Sequence, residues 1–371
     1  MSQLWSFVGR HRLTRRAVSI PTVVVAAIVL VITAPIWIIG ATVADAVTDW
    51  KRHRFLRVGA MMTFYAVNEC FGMALLLTAW LATGGGLGMQ SRWSMRWHGW
   101  VHGRWTKNIL AATKRCLGAD ISITNAELVE PSPVVVLARH ISLLDAVLPS
   151  VLLTTGQPNT PRHVFMQELL WDPCLDIVGH RTPNSFVDRS VGGTVAVDDA
   201  RRIGTTVQPR GSAVIFPEGG FRNPRRFERS LERLAERRPD LSARAAALRH
   251  ILPPRPAGSH ALVEGAEGAD AVIVAHTGFE GIGSIKEIMR NVPLEHPIEV
   301  TLRRIPRGDI PMDADGFHTW LFEQFEWIDQ WAEARVAARS RCDNTRDQAP
   351  SSIIDIGPDS ATPATDEVLT Q

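Results

Sequence analysis

Residues 21–43, PTVVVAAIVLVITAPIWIIGATV, contain no charged side chain. A helix of that length, rising about 1.5 Å per residue, reaches across the roughly 30 Å hydrocarbon core of a bilayer. The chain must therefore bury this stretch or give it to lipid. It is too long for the core of a secretory signal and no small-residue cleavage site follows it, so it reads as a membrane segment. Pro35 should kink or break the helix. A second apolar stretch, 58–87, is interrupted by Asn68 and Glu69 and closed by glycines at 84–86. A carboxylate in the bilayer core costs on the order of 3 kcal/mol on insertion scales, which predicts that Glu69 is protonated, paired or near the interface.

Basic residues flank both stretches, at 10–16, 51–57 and 92–107. Such clusters suit anionic head groups. A two-span hairpin would set the link 51–57 on the face that the positive-inside rule disfavours. Two helices embedded in one leaflet keep all three clusters cytoplasmic, and this is the expected arrangement, with the remainder of the chain on the cytoplasmic face. Trp93, Trp97, Trp100 and Trp105 are interleaved with arginine and histidine. They read either as an interfacial belt or as packing of a helix over 95–117. The net charge of +2 argues against a nucleic-acid partner. Cys70, Cys116, Cys174 and Cys342 show no C-x-x-C spacing, which indicates neither a zinc site nor a disulfide framework and suits a reducing compartment.

From residue 121 the pattern changes. β-Branched runs at 121–123, 134–137, 213–216, 271–275 and 298–302 alternate with helical signals at 143–155, 192–205 and 226–252. This predicts an α/β fold with a mixed, mainly parallel sheet flanked by helices. A last amphipathic helix over 317–341 carries Phe317, Trp320, Leu321, Phe325, Ile328 and Trp331 on one stripe, for packing on the domain or docking on the membrane. The expected division is a membrane-embedded helical hairpin over 1–90, an α/β domain over 91–343 and a disordered polar tail over 344–371.

Within that domain, 134–149 (VVVLARHISLLDAVLP) runs from a buried strand through a polar loop into a helix. Open α/β sheets place their chemistry at such strand ends. His140 can take a proton from a hydroxyl near neutral pH, and Asp145, five positions on, can orient its ring and stabilise the imidazolium. Taken alone, the pair also fits a buried histidine and a helix-capping aspartate. Ser142 as a nucleophile is disfavoured, because no Gly-x-Ser-x-Gly elbow surrounds it. His163, His180 and His250 lack metal-ligand spacing, and no metal is assigned.

Three further stretches follow: TPNSFVDRS at 182–190, IFPEGGFRNPRR at 215–226 and LRHILPPRPAG at 248–258. With the His-x4-Asp segment they resemble, in order and separation, the four blocks of the glycerolipid acyltransferases, the lysophosphatidic acid acyltransferase family. The resemblance covers about 134–302. The Gly-Gly-Phe form of the third block and the Leu-Pro-Pro-Arg stretch look like the branch that includes lysophosphatidylglycerol acyltransferases. Two departures bear on the head group: the arginine after the Phe-Pro-Glu-Gly turn is displaced by one position, and Arg139 stands where the family commonly has asparagine.

The resemblance implies an enzyme without cofactor, in which His140 and Asp145 pass a fatty acyl chain from acyl-coenzyme A or acyl-carrier protein to the free hydroxyl of a lysophospholipid. Arg189, and with it Arg222, would hold the phosphate, and Arg255 would bind substrate. Glu218 would bind a glycerol or head-group hydroxyl, and Gly219 and Gly220 would let backbone N–H groups approach the substrate or the developing oxyanion. Alternatives are a coenzyme-independent transacylase and a non-catalytic lipid-binding adaptor. The arginines at 225–238 are interspersed with glutamate and read as a solvated helix face.

Overall fold

The computed structural model describes residues 11–155, 160–187, 193–209 and 211–347, without the side chains of 193 and 342–347. The N-terminal part forms four helices: α1 (Arg12–Ile32), α2 (Ala34–Thr48), α3 (Arg54–Ala82) and α4 (Arg92–Leu117). The charge-free run is therefore not one helix. Pro35 occupies the first turn of α2, where its missing N–H is harmless, and its ring excludes a helical carbonyl four residues earlier. The chain breaks at Thr33, whose hydroxyl caps back onto the Val29 carbonyl oxygen at 2.6 Å.

Helices α1 and α3 are each long and apolar enough to cross a membrane. Yet both are fastened to the rest of the molecule. Arg15, 2% exposed, and Arg16 reach opposite oxygens of the buried Asp176 at 2.8 Å. At the other end of the hairpin, Arg52 bonds Glu295 and Arg57 bonds the Cys116 carbonyl. Of the basic flanks expected to face lipid head groups, these four side chains instead face the protein. Asp45 accepts the Phe55 and Leu56 amides, capping the start of α3. Glu69, fully buried, accepts from Trp105 Nε1 at 2.6 Å and the Cys174 amide at 3.0 Å. The carboxylate that seemed costly in lipid is paired inside the protein. Trp105 is buried with it, while Trp93 and Trp100 remain about half exposed.

The sheet has seven strands: β1 (Ile121–Thr124), β2 (Val134–Ala138), β3 (Arg162–Met166), β4 (Ser185–Val187), β5 (Ser212–Ile215), β6 (Asp270–Thr277) and β7 (Ile298–Ile305). Their order is β1-β7-β6-β2-β5-β3-β4, and all pairs are parallel except β6 with β7. This is the mixed, mainly parallel sheet expected. Every residue of β2 is buried, as a central strand covered on both faces requires. Val135 and Leu137 pack toward α7 (Gly193–Thr205), α10 (Pro256–Gly265) and α12 (Ala314–Asp347). Val134, Val136 and Ala138 pack toward the opposite layer with Leu148 and Leu152.

Other expectations needed adjustment. β3 and β4 add to the strands expected: β3 lies between β5 and the edge strand β4, and both are short, with charged or polar residues at their starts (Arg162, His163 and Ser185). The helical signal over 226–252 becomes two helices, Pro224–Arg237 and Pro239–Ala246, because Pro239 begins a new one. The stripe on α12 is buried at Phe317, Leu321, Phe325 and Ile328, so it packs on the domain rather than on a membrane. That helix also runs through Asp347, past the tail boundary expected at 344; residues 348–371 lie outside the described ones.

Replacing Asp176 with alanine leaves the Arg15 guanidinium buried without its carboxylate. Breaking a buried pair in this way is expected to cost about 3–5 kcal/mol. Thermal unfolding of the detergent-solubilised protein reads this as a lowered midpoint, and an unchanged midpoint would show that the clamp does not hold α1.

Candidate active site

Parallel strands β6, β2 and β5 lie side by side, so their C-terminal ends open on one edge of the sheet. His140 follows β2, Glu218 follows β5 and His276 ends β6. Such a crevice is where doubly wound sheets bind ligands.

His140 Nδ1 lies 2.8 Å from Asp145 Oδ1. The other oxygen of Asp145 accepts the Ile141 and Ser142 amides at 2.6 and 2.9 Å, and the Asp145 amide donates to Ser142 Oγ at 3.1 Å. Ser142 and Asp145 thus form a reciprocal cap on the turn, which gives Ser142 a structural task. Both readings of Asp145 hold together: it caps the turn and it fixes the imidazole. Because the carboxylate only accepts, the His140 hydrogen belongs on Nδ1 and Nε2 is left basic. Phe216 and Phe221 flank the ring, with centroids 4.4 and 4.6 Å away.

Glu218 does not reach toward a substrate. It is fully buried, and its two oxygens accept the His140 amide at 2.8 Å and the Leu252 amide at 2.9 Å. The expected hydroxyl-binding role is corrected accordingly: the carboxylate splints the His140 turn to the 252–255 segment. Burial pushes Glu218 up to about 7, against the opposing pull of the Leu252 amide and the Arg139 charge.

The turn after β5 needs its glycines. Gly219 and Gly220 adopt φ of 65° and 150°, where a Cβ is strained. The Gly219 amide closes the turn onto the Phe216 carbonyl at 3.0 Å, so it is not presented to an oxyanion as expected.

The arginines divide. Arg255 is exposed, packs over Gly219 and lines the same cavity as His140. Arg222 donates to the Ile251 carbonyl at 3.2 Å and stacks over Phe227, holding the 248–251 return instead of lining that cavity. Arg139, which stands where the family commonly has asparagine, is buried. It bonds Glu280, the His250 carbonyl and the His276 carbonyl. Arg189 lies outside the described residues. Its block is represented by Phe186, stacked on Phe165 and His180, and by Val187 at the cavity.

The cavity beside His140 has a volume of about 230 Å³ and is lined mainly by apolar side chains, among them Val164, Phe165, Met166, Ala196 and Ala200. It offers an apolar group a place next to the basic nitrogen.

Residues 120–255, a stretch holding all the candidate site residues, match the family model Acyltransferase. The similarity to that family covers 120–255 and does not extend over the rest of the chain. No relative is found among curated proteins. Among solved structures, the chain is similar to the 1-acyl-sn-glycerophosphate (LPA) acyltransferase PlsC from Thermotoga maritima. That similarity has 12% identity and a TM-score of 0.40, and covers 72% of this chain and 97% of that one.

Reading the sequence alone missed His276, which approaches Asp145 from β6, and Glu280, which balances Arg139. A signal for the first was present, since His276 ends an apolar run just as His140 does.

Glu218→Gln puts an amide N–H against a backbone N–H and releases one side of the splint. A group that positions the base should lower kcat by about tenfold or more with little change in KM. A raised KM at constant kcat would restore a substrate-binding role.

Proposed function

We propose that the chain is an acyltransferase that esterifies a lysophospholipid with a fatty acyl chain from a thioester donor, acyl-coenzyme A or acyl-carrier protein. The observation that carries this reading is the His140–Asp145 pair, 2.8 Å apart, at the mouth of an apolar cavity. His140 Nε2 takes the proton of the acceptor hydroxyl as the oxygen attacks the thioester carbonyl. The tetrahedral intermediate collapses, the carbon–sulfur bond breaks, and the imidazolium returns the proton to the leaving thiolate. Asp145 holds the ring and its charge throughout. Arg255, exposed at the cavity, would hold the phosphate of the acceptor, where a guanidinium can make two parallel hydrogen bonds. A lysophosphatidylglycerol-type acceptor follows only from the resemblance of the 216–222 and 252–255 segments.

The membrane part of the proposal is a one-leaflet hairpin, with the catalytic domain on the cytoplasmic face. Both the start of α1 and the link after α2 contact the domain, through Arg15 with Asp176 and Arg52 with Glu295. An anchor fastened at both of these points lies along the domain rather than leading away from it. The domain adds an apolar rim. Among the described residues of 101–341, the large apolar side chains that stay exposed are Leu143, Val195 and Ile285. Leu143 lies in the His140 turn and Val195 adjoins Ala196 of the cavity. Ile285 follows Gly283, where an added Cβ would sit 3.6 Å from the Ile141 carbonyl oxygen and 3.9 Å from Phe221. Three such groups around one opening favour entry of the acceptor from a lipid surface.

His140→Ala is expected to reduce acyl transfer by about 10² to 10⁴ in purified protein. Transfer assayed with and without acyl-coenzyme A separates the thioester-dependent reaction from a transacylase, and an absence of turnover in the parent protein would support an adaptor. The double substitution Val195→Asp and Ile285→Asp should slow turnover of lysolipid in vesicles by roughly tenfold, with a smaller effect on a monomeric short-chain lysolipid. Equal losses on both substrates would remove the rim from membrane docking.

A further inference from the structure

His276 is buried beneath the His140 turn. Its Nε2 lies 3.0 Å from the Arg139 carbonyl oxygen and 3.5 Å from Asp145 Oδ2. A carbonyl and an ionised carboxylate can only accept, so the ring hydrogen resides on Nε2. Nδ1 has no hydrogen-bond partner among the described residues. A proton added there would be buried without an acceptor, and burial accordingly holds His276 below the ordinary histidine range. The ring is a neutral donor.

Its position is enforced from both ends. The Arg139 amide bonds the Val274 carbonyl at 3.1 Å, and the Arg139 guanidinium bonds the His276 carbonyl while His276 Nε2 returns a bond to the Arg139 carbonyl. This exchange locks the end of β2, which starts the His140 turn, to the end of β6. Phe279 stands edge-on to the ring at 5.3 Å. The charged groups facing His276 are Asp145 from the turn, Arg139 from the end of β2 and Glu280 from the segment after β6.

We propose that His276 is a positioning residue that tunes the general base: the polarised Nε2–H edge of its ring, given to the Arg139 carbonyl and held 3.5 Å from the oxygen of Asp145 that His140 does not use, restrains the carboxylate's hold on the imidazolium and eases return of the proton. This rests on the reading of His140 as the base. The orientation of His276 serves the same end, because the lock with Arg139 keeps the Asp145 turn at a fixed distance from β6.

The test is the pH dependence of kcat/KM for acyl transfer in the purified full-length protein. Without the donor, Asp145 holds the His140 proton more tightly. His276→Leu should therefore move the acid limb upward by about 0.5–1 pH unit, lowering the rate on that limb about three- to tenfold. His276→Gln keeps an N–H within reach of the same acceptors and should restore the parental limb. Carbethoxylation of His140 by diethyl pyrocarbonate, followed at the peptide level by mass spectrometry across the same pH range, should show the same displacement without requiring turnover. His276→Met supplies the donor-free comparison if the leucine variant does not fold. An acid limb that stays in place in the donor-free variant, or one that moves equally in His276→Gln, overturns the proposal. Failure of the underlying reading looks different: His140→Ala would then retain the parental rate.

Discussion

The site depends on how the carboxylate of Asp145 is shared. One oxygen takes the Nδ1 hydrogen of His140, and the other takes two backbone amides of the same turn with the His276 ring just beyond. A buried carboxylate in this position is stabilised by the three hydrogen bonds it accepts. The same contacts that satisfy the charge also shape the turn, so folding the loop and orienting the imidazole are one event. The Phe216 and Phe221 rings narrow the remaining freedom of the imidazole.

Around this turn the structure places charges whose task is to hold the backbone. Glu218 joins the His140 turn to the 252–255 segment, and Arg139 gathers the 250, 276 and 280 positions. Both are almost without solvent contact. A charged side chain beside a histidine invites a role in binding substrate, yet burial and bonds to the surrounding backbone assign these two to the scaffold. Arg255, by contrast, is exposed and lines the apolar cavity beside His140.

The N-terminal helices show a comparable division. Their outward faces carry exposed Val, Ile, Leu and Phe, while Arg15, Asp45, Glu69 and Asn68 are buried against protein. Polar groups in an apolar helix find partners on the domain side, which orients the hairpin without any contribution from lipid. The two aspartates have separate tasks: Asp45 ties the end of α2 to the start of α3, and Asp176 clamps α1 to the domain.

Much of this was legible in the chain as written. The all-apolar run at 134–138, its strand neighbours at 213–216 and 271–275 and the break at Pro35 are local signals, because hydrophobic patterning and proline stereochemistry act over a few residues. The His-x4-Asp spacing is likewise local, and the family blocks pointed to the segments that converge. The tertiary structure alone decided which charges line the cavity and which are spent on backbone groups, as the different fates of Glu218, Arg222 and Arg255 show. It also decided that Arg15 meets Asp176 and that His276 stands behind Asp145. Those outcomes depend on strand order and on burial, which bring together groups more than a hundred residues apart, and no short window of sequence carries that information.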